Sequence, residues 1–375
     1  MKHSMTRRRF LAGTSSAVAL LHGLGYAQDA STGAAQTPQP LKLLILGGTG
    51  FLGPHIVESA IARGHTMTLF NRGKTNPHLF PDLEKLKGDR NGDLKALEGR
   101  EWDGVIDTSA YIPRVVHLSA GLLKEKVKHY ALISTVSVYA KHAEEDVDET
   151  SEVGKLEDET TEKVTNETYG PLKALCEQAA EEEMPGRVAN IRPGLIVGPG
   201  DPTDRFTYWP ARVARGGEVL APNSPADKIS FIDVRDLAEW TVQTIENRTA
   251  GVFNADGPKD PLPIGELLES CKKVSKSDAV FRYGETSFLS EHKVQPWAHM
   301  PAWFPAPEDG EMPVVSNDRA VEAGLTFRGI DDTVRATLEW HQKRPEDYRL
   351  RAGISPEREA EVIRAWHEAQ ASSEE

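Results

Sequence analysis

The chain has 375 residues, a formal charge of −13 and two cysteines, Cys176 and Cys271. That acidity argues against nucleic acid and anionic membranes as partners, since both repel a negative surface. Two cysteines this far apart exclude a disulfide framework and a cysteine-built metal site, and no His-Glu-x-x-His run occurs, so no metal is expected. Whether the two cysteines pair with each other stays open.

The first feature in chain order is an address. Arg7, Arg8 and Arg9 are followed by Phe10 and Leu11, then by a modest apolar stretch over residues 11–24. Paired arginines ahead of Phe-Leu resemble a twin-arginine export signal, and the stretch is shorter than the about 20 apolar residues a membrane span needs. Residues 1–27 read as a signal peptide cut after Ala27, and residues 28–40 as a flexible linker. No cysteine follows the cut closely, so no stable membrane anchor is expected. The expected location is the periplasm or another extracytoplasmic space, with the twin-arginine export machinery as a partner.

Residues 43–46, Leu-Leu-Ile-Leu, read as a strand buried on both faces. Gly47, Gly50 and Gly53 follow as G-x-x-G-x-x-G, ahead of a helix over about residues 53–63 and a second strand over 65–70. In such a unit the first glycine allows a tight turn and the second brings backbone to a pyrophosphate. The third lets the helix pack on the sheet. Unpaired N–H groups at the helix start, at the positive end of its dipole, favour a phosphate. Gly47, Thr49, Gly50, Phe51, Leu52 and Gly53 are therefore cofactor-binding candidates.

An acid about 20 residues past the glycines would bind the ribose hydroxyl of NAD. This chain instead has Asn71 and Arg72 with Lys74 beside them. An arginine suits a 2′-phosphate, so NADP is expected ahead of NAD. Asp89 can face the adenine amino group or simply close a turn, and Arg90 is grouped with it as cofactor-binding. A buried strand over residues 103–110 carries Thr108 and Ser109 near its end, small residues placed to face the cofactor.

Residues 129–139 read as a further strand with hydroxyls at its end, Ser134, Thr135 and Ser137. A helix beginning at Tyr169 puts Tyr169 and Lys173 on one face, with Pro171 in its first turn. A phenol titrates near 10 in water, so an acid–base tyrosine needs a cation beside it. Lys173 supplies one, and an oxidised nicotinamide another. The acidic residues 141–167 read as a solvated loop with a few helical turns, or as a lid over the site.

Taken together, GGTGFLG, ISTVSVY, YGPLK, RPGLIVGPG and ISFIDVRD resemble the short-chain dehydrogenase/reductase superfamily, in its extended, epimerase/dehydratase-like branch, over about residues 41–337. The resemblance implies an α/β Rossmann fold, a doubly wound parallel sheet with a smaller C-terminal substrate-binding lobe. The expected divisions are a Rossmann domain over 41–190, a substrate lobe with a return to the core over 191–345, and a charged, solvated helical tail over 346–375. The resemblance also implies roles for single residues. Tyr169 is the general acid–base, Lys173 holds the nicotinamide ribose and lowers the tyrosine pKa, Thr135 hydrogen-bonds the reacting oxygen, and Pro193 packs near the nicotinamide.

Departures from the family narrow the chemistry. Val136 and Ser137 stand where nucleotide-sugar 4,6-dehydratases carry Asp-Glu, which disfavours dehydration of that type. Asp107-Thr108-Ser109-Ala110 replaces the His-containing motif of many epimerases and leaves the substrate class open. Arg205, Tyr208 and Trp209, after the VGPG turn, are candidates to hold a polar ring by ionic and stacking contacts, or else form a packed helix start. Residues 295–305 read as a packed irregular loop able to wall the pocket through Trp297, His299 and Trp303. Arg235 and Asp236 read as structural ion-pair partners.

The expected function is an NAD(P)-dependent oxidoreductase or epimerase acting on a secondary alcohol or ketone of a small molecule, such as a sugar or glycoside. Free nicotinamide nucleotides are scarce outside the cytoplasm, so an exported enzyme of this kind is expected to keep its cofactor and regenerate it within the cycle. A reductase with exchangeable NADPH is the alternative. So is a non-enzymatic nucleotide-dependent binding or regulatory protein, against which the Thr135, Tyr169 and Lys173 set argues. A homodimer through the Tyr169 helix is a fold-level expectation.

Overall fold

Leu43 to Leu46 are wholly buried and form the middle of β1 (Lys42–Leu46) in the computed structural model, which describes residues 39–141, 144–307 and 312–373. The signal peptide, its cleavage position and most of the linker lie outside the described residues. Beside β1 lie β2 (Thr66–Asn71), β3 (Glu84–Lys87), β4 (Gly104–Asp107), β5 (His129–Ile133) and β6 (Val188–Pro193). Four short strands follow, β7 (Ile196–Val197), β8 (Glu218–Pro222), β9 (Lys228–Ile229) and β10 (Ile232–Asp233). The chain then returns to the main sheet as β11 (Gly251–Ala255), which pairs with β6 at the edge. The order is β11-β6-β5-β4-β1-β2-β3, parallel throughout.

Alternation along β1 divides the core. Leu43 and Ile45 face a cluster with α1 (Leu52–Ala62), while Leu44 and Leu46 face the opposite side with α2 (Pro113–Leu123) and α3 (Asn166–Glu183). The cluster on the first face is completed by α5 (Val234–Asn247), which follows α4 (Tyr208–Ala214). A parallel sheet covered by helices on both faces is the doubly wound α/β arrangement expected.

A second core belongs to the C-terminal lobe. There β8 pairs with β13 (Val280–Gly284), and β9 with β12 (Leu262–Pro263). Around them lie α6 (Ile264–Ser275), α7 (Thr286–Glu291), α8 (Asp318–Glu322), α9 (Ile330–His341) and α10 (Pro356–Ser373). Past residue 345 the described part of the tail is anchored on one side and not wholly solvated: Val362 and Ile363 of α10 join the lobe core, and Arg212 Nε donates to a buried Glu359 carboxylate at 2.5 Å.

Three local expectations change. The strand over 129–139 stops at Ile133, and Thr135 then opens a 3-10 turn, Val136–Val138. Helix α3 begins earlier than Tyr169, at Asn166, because Thr165 and Thr168 close a reciprocal capping box. Pro171 therefore sits inside the helix and not in its first turn. The acidic segment is a mostly exposed loop over its described residues, without the helical turns expected, and it is pinned at a few points. Val147 bridges Val315, Val153 bridges Tyr139, and the buried Glu149 carboxylate accepts the Asn254 N–H at 2.9 Å. Both cysteines are buried and unpaired. Among the described residues no helix is long and apolar enough to cross a membrane.

Candidate active site

The loop between β1 and α1 takes a shape that side chains would block. Gly47 and Gly48 have φ of +116° and +87°, in the left-handed region that favours glycine. A Cβ on Gly47 would lie 2.4 Å from Thr108 Oγ1, and one on Gly53 would lie 2.6 Å from the backbone of Gly48. Gly48 is thus a fourth required glycine that the three-glycine spacing passes over. A Cβ on Gly50 would meet nothing within 4 Å, and no side chain caps α1 at Phe51. Open space beside uncapped N–H groups at a helix start fits a pyrophosphate. Side chains fix the loop from outside: Asn71 Nδ2 donates to the Gly47 carbonyl at 3.1 Å, and Asn76 Nδ2 to the Thr49 carbonyl at 3.0 Å.

At the adenosine end, Arg72 and Lys74 are exposed and in no ion pair among the described residues. Asp89 closes a turn, accepting the Asn91 N–H at 3.0 Å. Arg90 is a correction. Its two terminal nitrogens donate to the Asp107 carboxylate at 2.6 Å each, and one also reaches Ser119 Oγ at 2.9 Å. Asp107 ends β4 with no exposure, and Tyr130 donates to it as well, at 2.8 Å. A carboxylate so placed needs a cation, so Arg90 serves the scaffold beneath the site and not the nucleotide. Thr108 Oγ1 donates to the Leu46 carbonyl at 3.0 Å, Ser109 N–H to Asp107 at 2.9 Å, and Pro193 is buried at the end of β6.

Thr135 and Tyr169 come together: the Thr135 side chain acts on the Tyr169 phenol, while its Oγ1 donates to Ser137 Oγ at 3.2 Å. Gly170 makes this approach possible, because a Cβ there would lie 1.9 Å from the Ser137 carbonyl oxygen. A glycine inside a helix costs about 1 kcal/mol relative to alanine, and that cost is the sequence signal that could have found Gly170, which went unnoticed.

Lys173 lies one turn below Tyr169 and is almost fully buried, donating to the Ala110 and Ile133 carbonyls at 2.5 and 2.6 Å. Its Nζ lies 5.4 Å from the centre of the Tyr111 ring, and that ring lies 6.3 Å from the Tyr169 ring. Tyr111, 49% exposed, went unnoticed in the sequence because no motif points to it.

Burial pushes the Tyr169 phenol above its ordinary value, and the nearby Tyr111 adds to this. The Thr135 hydroxyl and the Arg205 guanidinium oppose it. Arg205 thus acts on Tyr169, a role the sequence did not point to. Burial also lowers the Lys173 pKa.

The lobe-side candidates divide. Arg205 is half-buried and faces the site, but Tyr208 and Trp209 are 1% and 0% exposed and belong to the lobe core. Trp209 Nε1 donates to the Pro301 carbonyl at 2.7 Å, and Tyr208 packs against Gly353. They are packing residues, since aromatic side chains this large contribute most to stability where water is excluded. Trp303 is buried too, its Nε1 on Asp227 at 2.7 Å, and His299 Nδ1 accepts the Gln295 N–H at 2.9 Å. Only Trp297 of that segment turns to the site, stacked on Phe304 at 4.9 Å with the Arg205 guanidinium 5.2 Å from its ring centre. Arg235 pairs with Asp233, and Asp236 with Arg328, as structural partners.

The model of the NAD dependent epimerase/dehydratase family matches residues 105–255. The chain is 29% identical over 257 residues to the chloroplast stem-loop binding protein of 41 kDa b from Arabidopsis thaliana, covering 62% of each. It is 26% identical over 266 residues to the 2-alkyl-3-oxoalkanoate reductase of Stenotrophomonas maltophilia, covering 61% of this chain and 74% of that protein. The UDP-glucuronic acid 4-epimerase of Bacillus cereus, solved with NAD, has the same fold. Its TM-score is 0.60 at 16% identity, over 83% of this chain and 99% of that one.

Proposed function

Taking the chain as an enzyme of the NAD-dependent epimerase/dehydratase family, we propose that it moves a hydride between a secondary alcohol or ketone of a small molecule and a tightly held NAD(P). The observation that carries this reading is that the Thr135 hydroxyl and the Tyr169 phenol are brought together at the end of β5 and the start of α3. It gives one reacting oxygen two hydroxyl partners. The nicotinamide, when bound, supplies the hydride acceptor or donor. Gly47, Gly50 and Gly53 with the start of α1 would hold the pyrophosphate, and Lys173 the nicotinamide-side ribose.

In the reductive direction Tyr169, protonated at neutral pH, donates its phenolic proton to the ketone oxygen while Thr135 holds that oxygen in place. In the oxidative direction the Tyr169 phenolate, which the positive charge of Arg205 favours, receives the hydroxyl proton as the hydride leaves the carbinol carbon. Tyr111 lies beside Tyr169, and Trp297 beside Arg205. A ketone reductase among the relatives agrees with this class of reaction, and a sugar or glycoside alcohol is the substrate we favour.

Two finer statements belong to the same proposal. Arg72 and Lys74, exposed and without an acid beside them, favour NADP over NAD. The Arg7–Arg8 pair ahead of Phe10 and Leu11 directs export, and an exported enzyme with a retained cofactor runs a cycle that returns the nucleotide to its starting state. Tyr169→Phe tests the core of the proposal. We expect hydride transfer to fall by about 10² to 10⁴ with nucleotide binding retained, and unchanged turnover would overturn it. Lysine at both Arg7 and Arg8 is expected to leave uncleaved precursor in the cytoplasm; normal export would remove that part.

A further inference from the structure

Buried and half-buried arginines near the cores are matched to carboxylates or, at Arg187, to two backbone carbonyls. Arg90 pairs with Asp107 at 2.6 Å, Arg192 with Glu177 at 2.6 Å, Arg212 with Glu359 at 2.5 Å and Arg344 with Asp204 at 2.5 Å. Arg205 breaks the pattern. It is half-buried, yet no described carboxylate lies within ion-pair distance of it. Its Nε donates to Thr203 Oγ1 at 3.0 Å, and its terminal nitrogens make no hydrogen bond among the described residues. Asp201, the nearest acid acting on it, spends one oxygen on Thr203. A cation drawn partly out of water without a counter-charge raises the free energy unless something else meets it.

What surrounds Arg205 describes what would meet it. One face of the guanidinium lies over Trp297, which stacks on Phe304, 46% exposed. Trp297 holds this position at a φ of +61°, uncommon for so bulky a residue, and its N–H is fixed by the Met300 and Trp303 carbonyls at 3.1 Å each. The charge reaches Tyr169. Resting on the proposed hydride-transfer reading, we infer that Arg205 is the specificity-determining residue for a substrate whose reacting carbinol or ketone carries a nearby carboxylate. Trp297 is its positioning residue. The planar guanidinium matches a carboxylate through two parallel N–H donors. A single unpaired cation suits a monoanion better than a phosphate dianion, since Lys173 is spent on two carbonyls.

The test uses the full mature chain loaded with nucleotide and ligand-observed NMR with matched pairs: lactate and methyl lactate, 3-hydroxybutyrate and its methyl ester, methyl glucuronide and methyl glucoside. Glycerol 3-phosphate is a further probe. We expect carboxylates to bind at least tenfold more tightly than their neutral partners. In Arg205→Gln that ratio collapses towards unity. Trp297→Phe keeps most of it and Trp297→Ala does not, with thermal midpoints recorded to confirm folding. Equal binding of acids and esters, carboxylate binding that survives Arg205→Gln, glycerol 3-phosphate outcompeting every carboxylate, or no carboxylate bound at millimolar concentration each overturns the inference. Nucleotide binding, followed separately by nicotinamide fluorescence, reports on the hydride-transfer reading, so the two failures are distinguishable.

Discussion

Arg90 and Arg205 are both drawn partly out of water near the candidate active site, but among the described residues only Arg90 meets a carboxylate at ion-pair distance. Arg90 forms a two-pronged pair with Asp107, joined by Tyr130 and Ser119. Arg205 rests on Trp297 with its terminal nitrogens unspent. A cation whose partners all come from the chain holds the chain together; one whose partners are missing is oriented for something that arrives from outside. The carboxyls divide the same way. Asp107 has its cation, whereas Asp256 is buried with none and has its pKa raised to about 6 by burial.

The contrast breaks most visibly at the chemistry. Tyr169→Phe removes the proton donor that Thr135 and Arg205 face, and turnover measured by nicotinamide absorbance is expected to drop by about 10² to 10⁴. Arg90→Met comes next. It leaves Asp107 buried without its cation, a change that costs about 3–5 kcal/mol, and denaturant unfolding is expected to record it while nucleotide affinity per folded molecule stays close to wild type. A selective loss of nucleotide affinity with unchanged stability would return Arg90 to the cofactor site.

Asp256 sharpens the comparison through pH. Its folded-state pKa lies above the usual carboxyl value, so the stability it contributes is fully present below about pH 4 and is lost as pH rises through about 6. A shift of about two units corresponds to about 3 kcal/mol. Unfolding free energy measured from pH 4 to 8 should carry this decline, and Asp256→Asn should flatten it; an unchanged slope would show Asp256 paired. The smallest effect is expected at the surface. Arg72→Ala should lower NADP affinity about tenfold, the equivalent of about 1.4 kcal/mol, and leave NAD affinity and the thermal midpoint alone.

The parallel sheet was legible because its signals are local. Leu43 to Leu46 run straight into glycines whose spacing has one main use, and Tyr169 and Lys173 share a helical face whatever surrounds them. Tyr208 and Trp209 stayed open between ligand and packing, and Arg90 was grouped with the cofactor, because an aromatic or a cation near a motif looks the same whether it faces a ligand or a core. What decided them was a long-range partner: Pro301 and Gly353 for the aromatics, Asp107 for the arginine. Tyr111 and the Arg205–Trp297 stack went unnoticed for the related reason that their neighbours come from distant parts of the chain. The helix start at Asn166 was missed by a cap. Thr165 and Thr168 bond each other's backbone three residues before the proline that seemed to mark the first turn.

The most direct measurement is the nucleotide content of freshly purified mature protein, released by denaturation and identified by absorbance and mass. We expect stoichiometric NAD(P), with the 2′-phosphate present. Protein that emerges empty and takes up neither NAD(H) nor NADP(H) would contradict hydride transfer at Thr135 and Tyr169.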